Sequence, residues 1–256
     1  MTHSTVAPAV TDFAKQVSER LERLLALAVD GGLDEAISLM TTAIETGAVI
    51  QAFGTGHSEA FAMEIAGRAG GLIPTNKIAL RDLALHGSLP VQELSGSSLE
   101  RDPSIVAELW DISPIHRGDV FLIASNSGVN GSVVGMALLA EEKGHDVIAV
   151  TSLQHTAQVQ PKHPSGRRLS EIADVVIDNL APYGDATLGL DGGVAVGAVS
   201  SITSAFIAQL LTIGVAERMQ GNGQVPPLYL SANIPGGDEH NHALEMKYQG
   251  RIRRGT

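Results

Sequence analysis

No cysteine occurs among the 256 residues, which excludes disulfides, thiolate nucleophiles and Cys-ligated metals and fits a reducing compartment. Basic residues are also few. Against 28 Asp and Glu stand 17 Lys and Arg, a formal charge of -11, so neither nucleic acid nor an anionic membrane is expected as a partner, because both need a positive field. An anionic ligand must then be held by local donors. Residues 1–10 hold no apolar stretch of signal-peptide length, so no export signal is read and the expected address is cytoplasmic. One charge-free stretch, 193–216, is long enough to cross a bilayer. It is mostly Gly, Ala, Ser and Thr, with Gln209 inside and no Trp or Tyr at its ends, which predicts instead a helix buried in the core or in a subunit interface.

What the sequence does have is the makings of a sizeable core: 44% of the residues are hydrophobic, and the length suits one large domain. Residues 12–29 carry Phe13, Val17, Leu21, Leu24, Leu25 and Ala28 at helical spacing. The pattern stops at Gly31-Gly32 and resumes over 33–45, with Asp34 and Glu35 in the first turn. Two helices therefore form an expected N-terminal extension, 1–47, packing on the core or on a dimer partner, ahead of a main unit spanning 48–256.

In that unit an apolar strand, a Gly/Ser loop and a helix recur. Residues 48–53 lead into Gly54-Thr55-Gly56-His57-Ser58 and a helix over 59–69. Residues 119–124 lead into Ser125-Asn126-Ser127-Gly128-Val129-Asn130 and a helix over 131–143, and 147–150 precede Thr151-Ser152. With further strands at 72–78 and 174–177, the alternation predicts an α/β fold whose parallel sheet is covered on both faces. A polar insertion at 87–114 holds one helix, 104–110, and a His/Pro/Lys-rich loop at 156–168 is expected near the site mouth. Beyond the apolar helix, Gly221-Asn222-Gly223 and Pro226-Pro227 break the chain before a short run at 228–230 and a polar tail.

Ligands of open parallel sheets bind at the carboxyl ends of the strands, where loops feed helix N-termini whose free N–H groups suit phosphate. Both glycine loops sit there. Gly54, Gly56 and Gly128 let backbone approach an anion, while Thr55, Ser58, Ser125 and Ser127 add hydroxyls and Asn126 and Asn130 add amides. A tight turn with Ser58 as an ordinary N-cap is the bland alternative. A dinucleotide fingerprint is the other, although Glu59 stands at its third glycine.

The pairing of Ser125-x-Ser127-Gly128 after one strand with Gly54-x-Gly56-His57-Ser58 after another resembles the SIS (sugar isomerase) domain family. Residues 119–153, with Ser165-Gly166-Arg167-Arg168-Leu169 and 178–186, resemble its uncharacterised phosphosugar-isomerase branch. Many SIS members carry Ser or Thr at the position of Asn130. The resemblance implies a three-layer α/β/α sandwich with a five-stranded flavodoxin-like parallel sheet, a homodimer or higher homo-oligomer, and a phosphorylated sugar as ligand. It calls for no cofactor. It further implies an aldose–ketose isomerase working through an enediol, with a non-catalytic sugar-phosphate sensor, or a lyase or etherase on an amino sugar phosphate, as rivals.

Isomerisation needs a base, and ring opening needs an acid or shuttle. Glu64, in Glu64-Ile65-Ala66-Gly67-Arg68, resembles the catalytic Glu of the more distant phosphoheptose isomerases, against the alternative of an i, i+4 surface pair with Arg68. His57 is the histidine expected by position. Thr151, Ser152, Asp185 and His240 form a second rank of ligand contacts, with Asp185 equally suited to capping. The tail Asp238-Glu239-His240-x-His242 lacks the i, i+4 spacing of a helical zinc site, so no metal is expected.

Overall fold

The computed structural model describes residues 7–253. The reading of 1–10 as free of an export signal therefore falls partly outside the described residues, as do the ends of the expected units 1–47 and 48–256.

Five strands, β1 (Ile50–Gly54), β2 (Thr75–Ile78), β3 (Val120–Ala124), β4 (Val147–Thr151) and β5 (Val175–Asp178), form one parallel sheet in the order β2-β1-β3-β4-β5. Every residue of β1, β3 and β4 is buried, the signature of strands covered on both faces. The helices are α1 (Ala7–Val29), α2 (Asp34–Glu45), α3 (Glu59–Ile65), α4 (Asp82–Leu85), α5 (Ser98–Arg101), α6 (Val106–Asp111), α7 (Gly131–Glu142), α8 (Leu153–Thr156), α9 (Ser200–Gly221) and α10 (Gly237–Glu245). A two-stranded antiparallel hairpin, β6 (Ala186–Gly189) and β7 (Ala195–Ala198), precedes α9.

Because side chains alternate along a strand, the sheet divides the core in two. Ile50, Leu122, Ile148 and Ile177 face Leu24 of α1, Met40 and Ile44 of α2, Phe61 of α3, and Ile207, Leu211 and Val215 of α9. Phe53, Phe121, Ile123 and Ala149 face Leu83 of α4, Val106 and Leu109 of α6, and Val133, Met136 and Ala140 of α7. The result is a three-layer α/β/α sandwich with the flavodoxin-like strand order. Each fully buried aliphatic or aromatic side chain contributes roughly 1.5–3 kcal/mol to it.

The amino edge of the sheet is held by one buried carboxylate. Asp119, 0% exposed, accepts from Val49 N (2.9 Å) and Arg251 Nη2 (2.5 Å) at one oxygen, and from Gln51 Nε2 and His116 N (both 2.9 Å) at the other. Asn76 bonds Gln51 and receives Arg253 N, so this network fastens the C-terminal segment under β1 and β2.

Long-range pairing corrects three expected elements. The helix expected over 59–69 ends at Ile65, because the following chain leaves to pair with the tail: Gly70 N donates to Tyr229 O and Tyr229 N to Gly71 O, both at 2.9 Å. The strand expected at 72–78 is likewise split, Leu72 bridging antiparallel to Leu228 while only Thr75–Ile78 joins the sheet. The apolar stretch 193–216 is not one helix. Its first residues turn at Gly192-Gly193 into β7, which pairs Val196 with Leu188, and α9 starts at Ser200. Among the described residues α9 is the one helix long and apolar enough to cross a membrane; it packs on α1, α2 and α3.

Candidate functional site: two loops at the switch of the sheet

β1 and β3 are neighbours whose crossovers leave in opposite directions, β1 running on to β2 and β3 to β4. Their carboxyl ends therefore bound the crevice where ligands of such sheets bind. Register puts Gly54 opposite Ala124, so the loops 55–58 and 125–130 leave the sheet side by side. Gly54 is crowded: a Cβ there would lie 2.3 Å from Ser58 O and 3.2 Å from Ala124 O. A short 3-10 turn, Gly56–Ser58, feeds α3 directly.

In the second loop Gly128 takes φ +64°, a left-handed conformation that a glycine adopts without strain. Its N–H donates to Ser125 Oγ (3.1 Å), leaving the Ser125 hydroxyl proton to donate. A side chain at Gly128 would put its Cβ 3.0 Å from Thr151 Oγ1 and 3.2 Å from Thr156 Oγ1. Thr156 Oγ1 is itself buried and without a partner, as is Oδ1 of Asn130, the residue that precedes α7 without capping it. Unmet buried polar atoms are uncommon in folded proteins, and two of the three among the described residues lie at this loop. The 156–168 loop ends against it, with Lys162 N bonded to Val129 O (3.1 Å) and Leu169 N to Gly128 O (2.8 Å).

The structure thus brings together Gly54, Thr55, Gly56, Ser58, Ser125, Asn126, Ser127, Gly128 and Asn130. Thr151, fully buried, joins them from the end of β4, with its hydroxyl 3.5 Å from Asn126 O. Several other expected residues have their polar atoms engaged elsewhere. Ser152 Oγ accepts from His155 N (2.9 Å) as the cap of α8 and donates to Ala181 O (2.6 Å). Asp185 caps α9, accepting from Val199 N, Ser200 N and Ser200 Oγ at 3.1, 2.8 and 2.7 Å. His240 bonds Leu228 O (3.0 Å) and lines a separate cavity with Ile44 and Tyr248.

Of the catalytic candidates, His57 is exposed on the 3-10 turn. Glu64 is held by Arg68 and by Gln209 Nε2 (2.6 Å) of α9, all at one carboxylate oxygen. The larger cavity, of about 540 Å³, lies between the end of α3 and α10 and includes none of the loop residues. Among the described residues no group of three or more His, Asp or Glu is placed to hold a metal ion.

Two participants escaped the sequence reading. Asn179, 1% exposed at the end of β5, donates to Asn126 Oδ1 (3.1 Å) and accepts from Ala181 N, fixing the second loop from the side. Glu100, on α5 of the 87–114 insertion, brings its carboxylate to the first loop, with Oε2 3.4 Å from Thr55 Oγ1. Ser132 Oγ of α7 bonds the Glu100 carbonyl at 2.8 Å and anchors it. Asn179 lies in the 178–186 segment that carries the family resemblance but was given no role there, and Glu100 has no sequence signal, because only the folded insertion brings α5 to the crevice. Next to β4 and β5, the His155 ring lies tilted against Tyr183 (centroids 5.3 Å apart) and accepts from Gly184 N (3.0 Å); burial holds its pKa below the usual histidine range, partly offset by the Asp185 charge.

The fold and the paired loops define an α/β protein with a polar crevice at its switch point. A family model for the SIS domain matches residues 12–152, and the chain belongs to that family. It is 36% identical over 244 residues to the UPF0309 protein of Geobacillus thermodenitrificans, covering 95% of this chain and 96% of the relative. To the UPF0309 protein lin2794 of Listeria innocua it is 38% identical over 234 residues, covering 90% and 93%. Among solved structures, E. coli CFT073 c3406, solved in complex with a sugar phosphate, superposes with a TM-score of 0.52 at 15% identity, covering 86% of this chain and 94% of that one, a likeness of fold.

Proposed function

We propose that this protein binds a phosphorylated sugar in the β1/β3 crevice and interconverts its aldose and ketose forms through an enediol. The observation that carries the binding half is the register of β1 on β3, which lays two loops of amides and hydroxyls side by side in a protein of charge -11. Thr55, Ser58, Ser125 and Ser127, with the amides of Gly54, Gly56 and Asn126, hold the phosphate, Gly128 letting the backbone approach it and orienting the Ser125 hydroxyl; Thr151 and Asn130 complete the floor. That a protein of the same fold was solved with a sugar phosphate bound supports the reading. Glu64 takes the C2 proton, after release from Gln209. The setting is cytoplasmic, with no cofactor, and the protein works as a homodimer or higher homo-oligomer. Its subunits meet on the apolar surface of α1 and α9, where Leu25, Val29 and Ile213 are half exposed or more.

A sugar-phosphate sensor is the second reading, favoured by the engagement of Glu64 with Arg68 and Gln209. The test is a thermal-shift panel of glucose 6-phosphate, arabinose 5-phosphate and N-acetylmannosamine 6-phosphate beside their unphosphorylated parents. An ester at a hundred times its Kd stabilises by about 2.7 kcal/mol. No preference for any ester over its parent sinks the binding reading, and a Ser125→Ala, Ser127→Ala double variant should lose the preference. Solvent deuterium at C1 or C2 of a stabilising ester, lost in Glu64→Gln, supports isomerisation; its absence with every stabilising ester leaves the sensor.

A further inference from the structure

We infer that Glu100 is the ring-opening acid of this site, the role that the sequence pattern assigned to His57. The inference rests on the sugar-phosphate reading above.

Position is the first argument. Both carboxylate oxygens of Glu100 would lie 3.1 Å from a Cβ at Gly56, and Oε2 lies 3.4 Å from Thr55 Oγ1, so the group stands against the first loop itself. In a cyclic sugar phosphate the ring oxygen is attached to the carbon that carries the phosphate-bearing arm, whether the ring is a hexose pyranose or a pentose furanose. A group beside the phosphate therefore meets the ring oxygen, and C2 lies further along the ligand.

Freedom is the second. Glu64 and Glu59 are held by cations, Arg68 in one case and Lys77 with Arg81 in the other. Among the described residues Glu100 has no ion pair, and its side chain has the Thr55 hydroxyl as its hydrogen-bond partner. A phosphate dianion arriving next to it has the opposite effect to an arginine: like charge favours the protonated carboxyl. Ligand binding thus loads the acid.

The step balances without a co-reactant other than water. The Glu100 carboxyl gives its proton to the ring oxygen as the bond from that oxygen to C1 breaks, the electron pair staying on oxygen. The anomeric hydroxyl releases its proton to water as C1 becomes a carbonyl, and the carboxylate left behind is reprotonated from water. Anchoring through the Ser132 hydroxyl and the close seat of Arg101 O against Gly131, where a Cβ would come within 2.2 Å, fixes the carboxylate relative to both loops.

Ring opening is read without isomerisation, because it interconverts the α and β anomers. Exchange NMR on glucose 6-phosphate and arabinose 5-phosphate, with thermal shifts on the same samples, compares wild type with Glu100→Gln and Glu100→Asp. The expected result is anomer exchange accelerated by the wild type, slowed about 100-fold or more in Glu100→Gln and partly restored in Glu100→Asp, with ester stabilisation kept in all three. Exchange in Glu100→Gln at the wild-type rate, or no acceleration by a wild type that the esters stabilise, overturns the assignment and leaves the binding reading standing. Failure of every ester to stabilise the wild type overturns the binding reading itself.

Discussion

The two edges of one sheet solve opposite problems with the same kinds of group. At the amino edge, Asp119 is fully buried and four donors converge on its two oxygens, so a charge that would otherwise be costly to bury becomes a fastening for the C-terminal segment. At the carboxyl edge, two loops of glycine, serine and threonine keep buried oxygens of Asn130 and Thr156 without partners. A group whose hydrogen bonds are all made contributes to stability and has little to offer a ligand. One whose bonds are unmade weakens the fold and waits for something to complete it.

The sharpest test of that contrast is Asp119→Ala, which strands Arg251, Gln51 and two backbone N–H groups in the interior. A loss of about 3–5 kcal/mol in urea unfolding is expected, with any preference for phosphate esters over parent sugars unchanged. Gly128→Ala should do the reverse. Its left-handed backbone and its crowding by Thr151 and Thr156 set a cost of about 1–3 kcal/mol, and the ester preference should vanish; if it survives, the second loop is not the cradle.

Asp185→Ala removes the cap of α9 and should cost about 1–2 kcal/mol in thermal unfolding while leaving ester stabilisation intact. A loss of ester binding instead would return Asp185 to the site. The smallest effect concerns pH. Folded His155 binds a proton less readily than the unfolded chain does, so its contribution is undiminished above about 6.5 and is lost as the pH falls from there through the folded value. His155→Gln should flatten the decline of Tm between neutral and mildly acidic pH slightly; an unaltered profile would show that burial of the ring carries no such penalty.

The strand–loop–helix grammar was legible because each of its parts is local. β3 is an unbroken apolar run, β4 is apolar up to Thr151 and β1 is broken only by Gln51, and the loops after them carry the Gly, Ser and Thr residues that a tight anion-facing turn requires. Three boundaries were not legible. Where α3 ends depends on Tyr229, and where β2 begins on Leu228, both far along the chain, and the start of α9 depends on a hairpin whose strands are weakly apolar and short. Similar reasoning explains Asp185 and Ser152: residues that cap well and residues that bind ligands share the same chemistry, and only the position of the next helix separates the two uses.

Local pattern alone therefore determined the α/β class and the two loops, since periodicity and turn chemistry act between near neighbours, whereas the five-stranded order was implied only by the family resemblance. Tertiary structure decided which carboxylate meets those loops. Glu100 comes from an insertion with no regular pattern of its own, Glu64 is drawn toward Gln209 by the packing of α3 on α9, and such distances are set by how helices seat on the sheet, which no short stretch of sequence encodes.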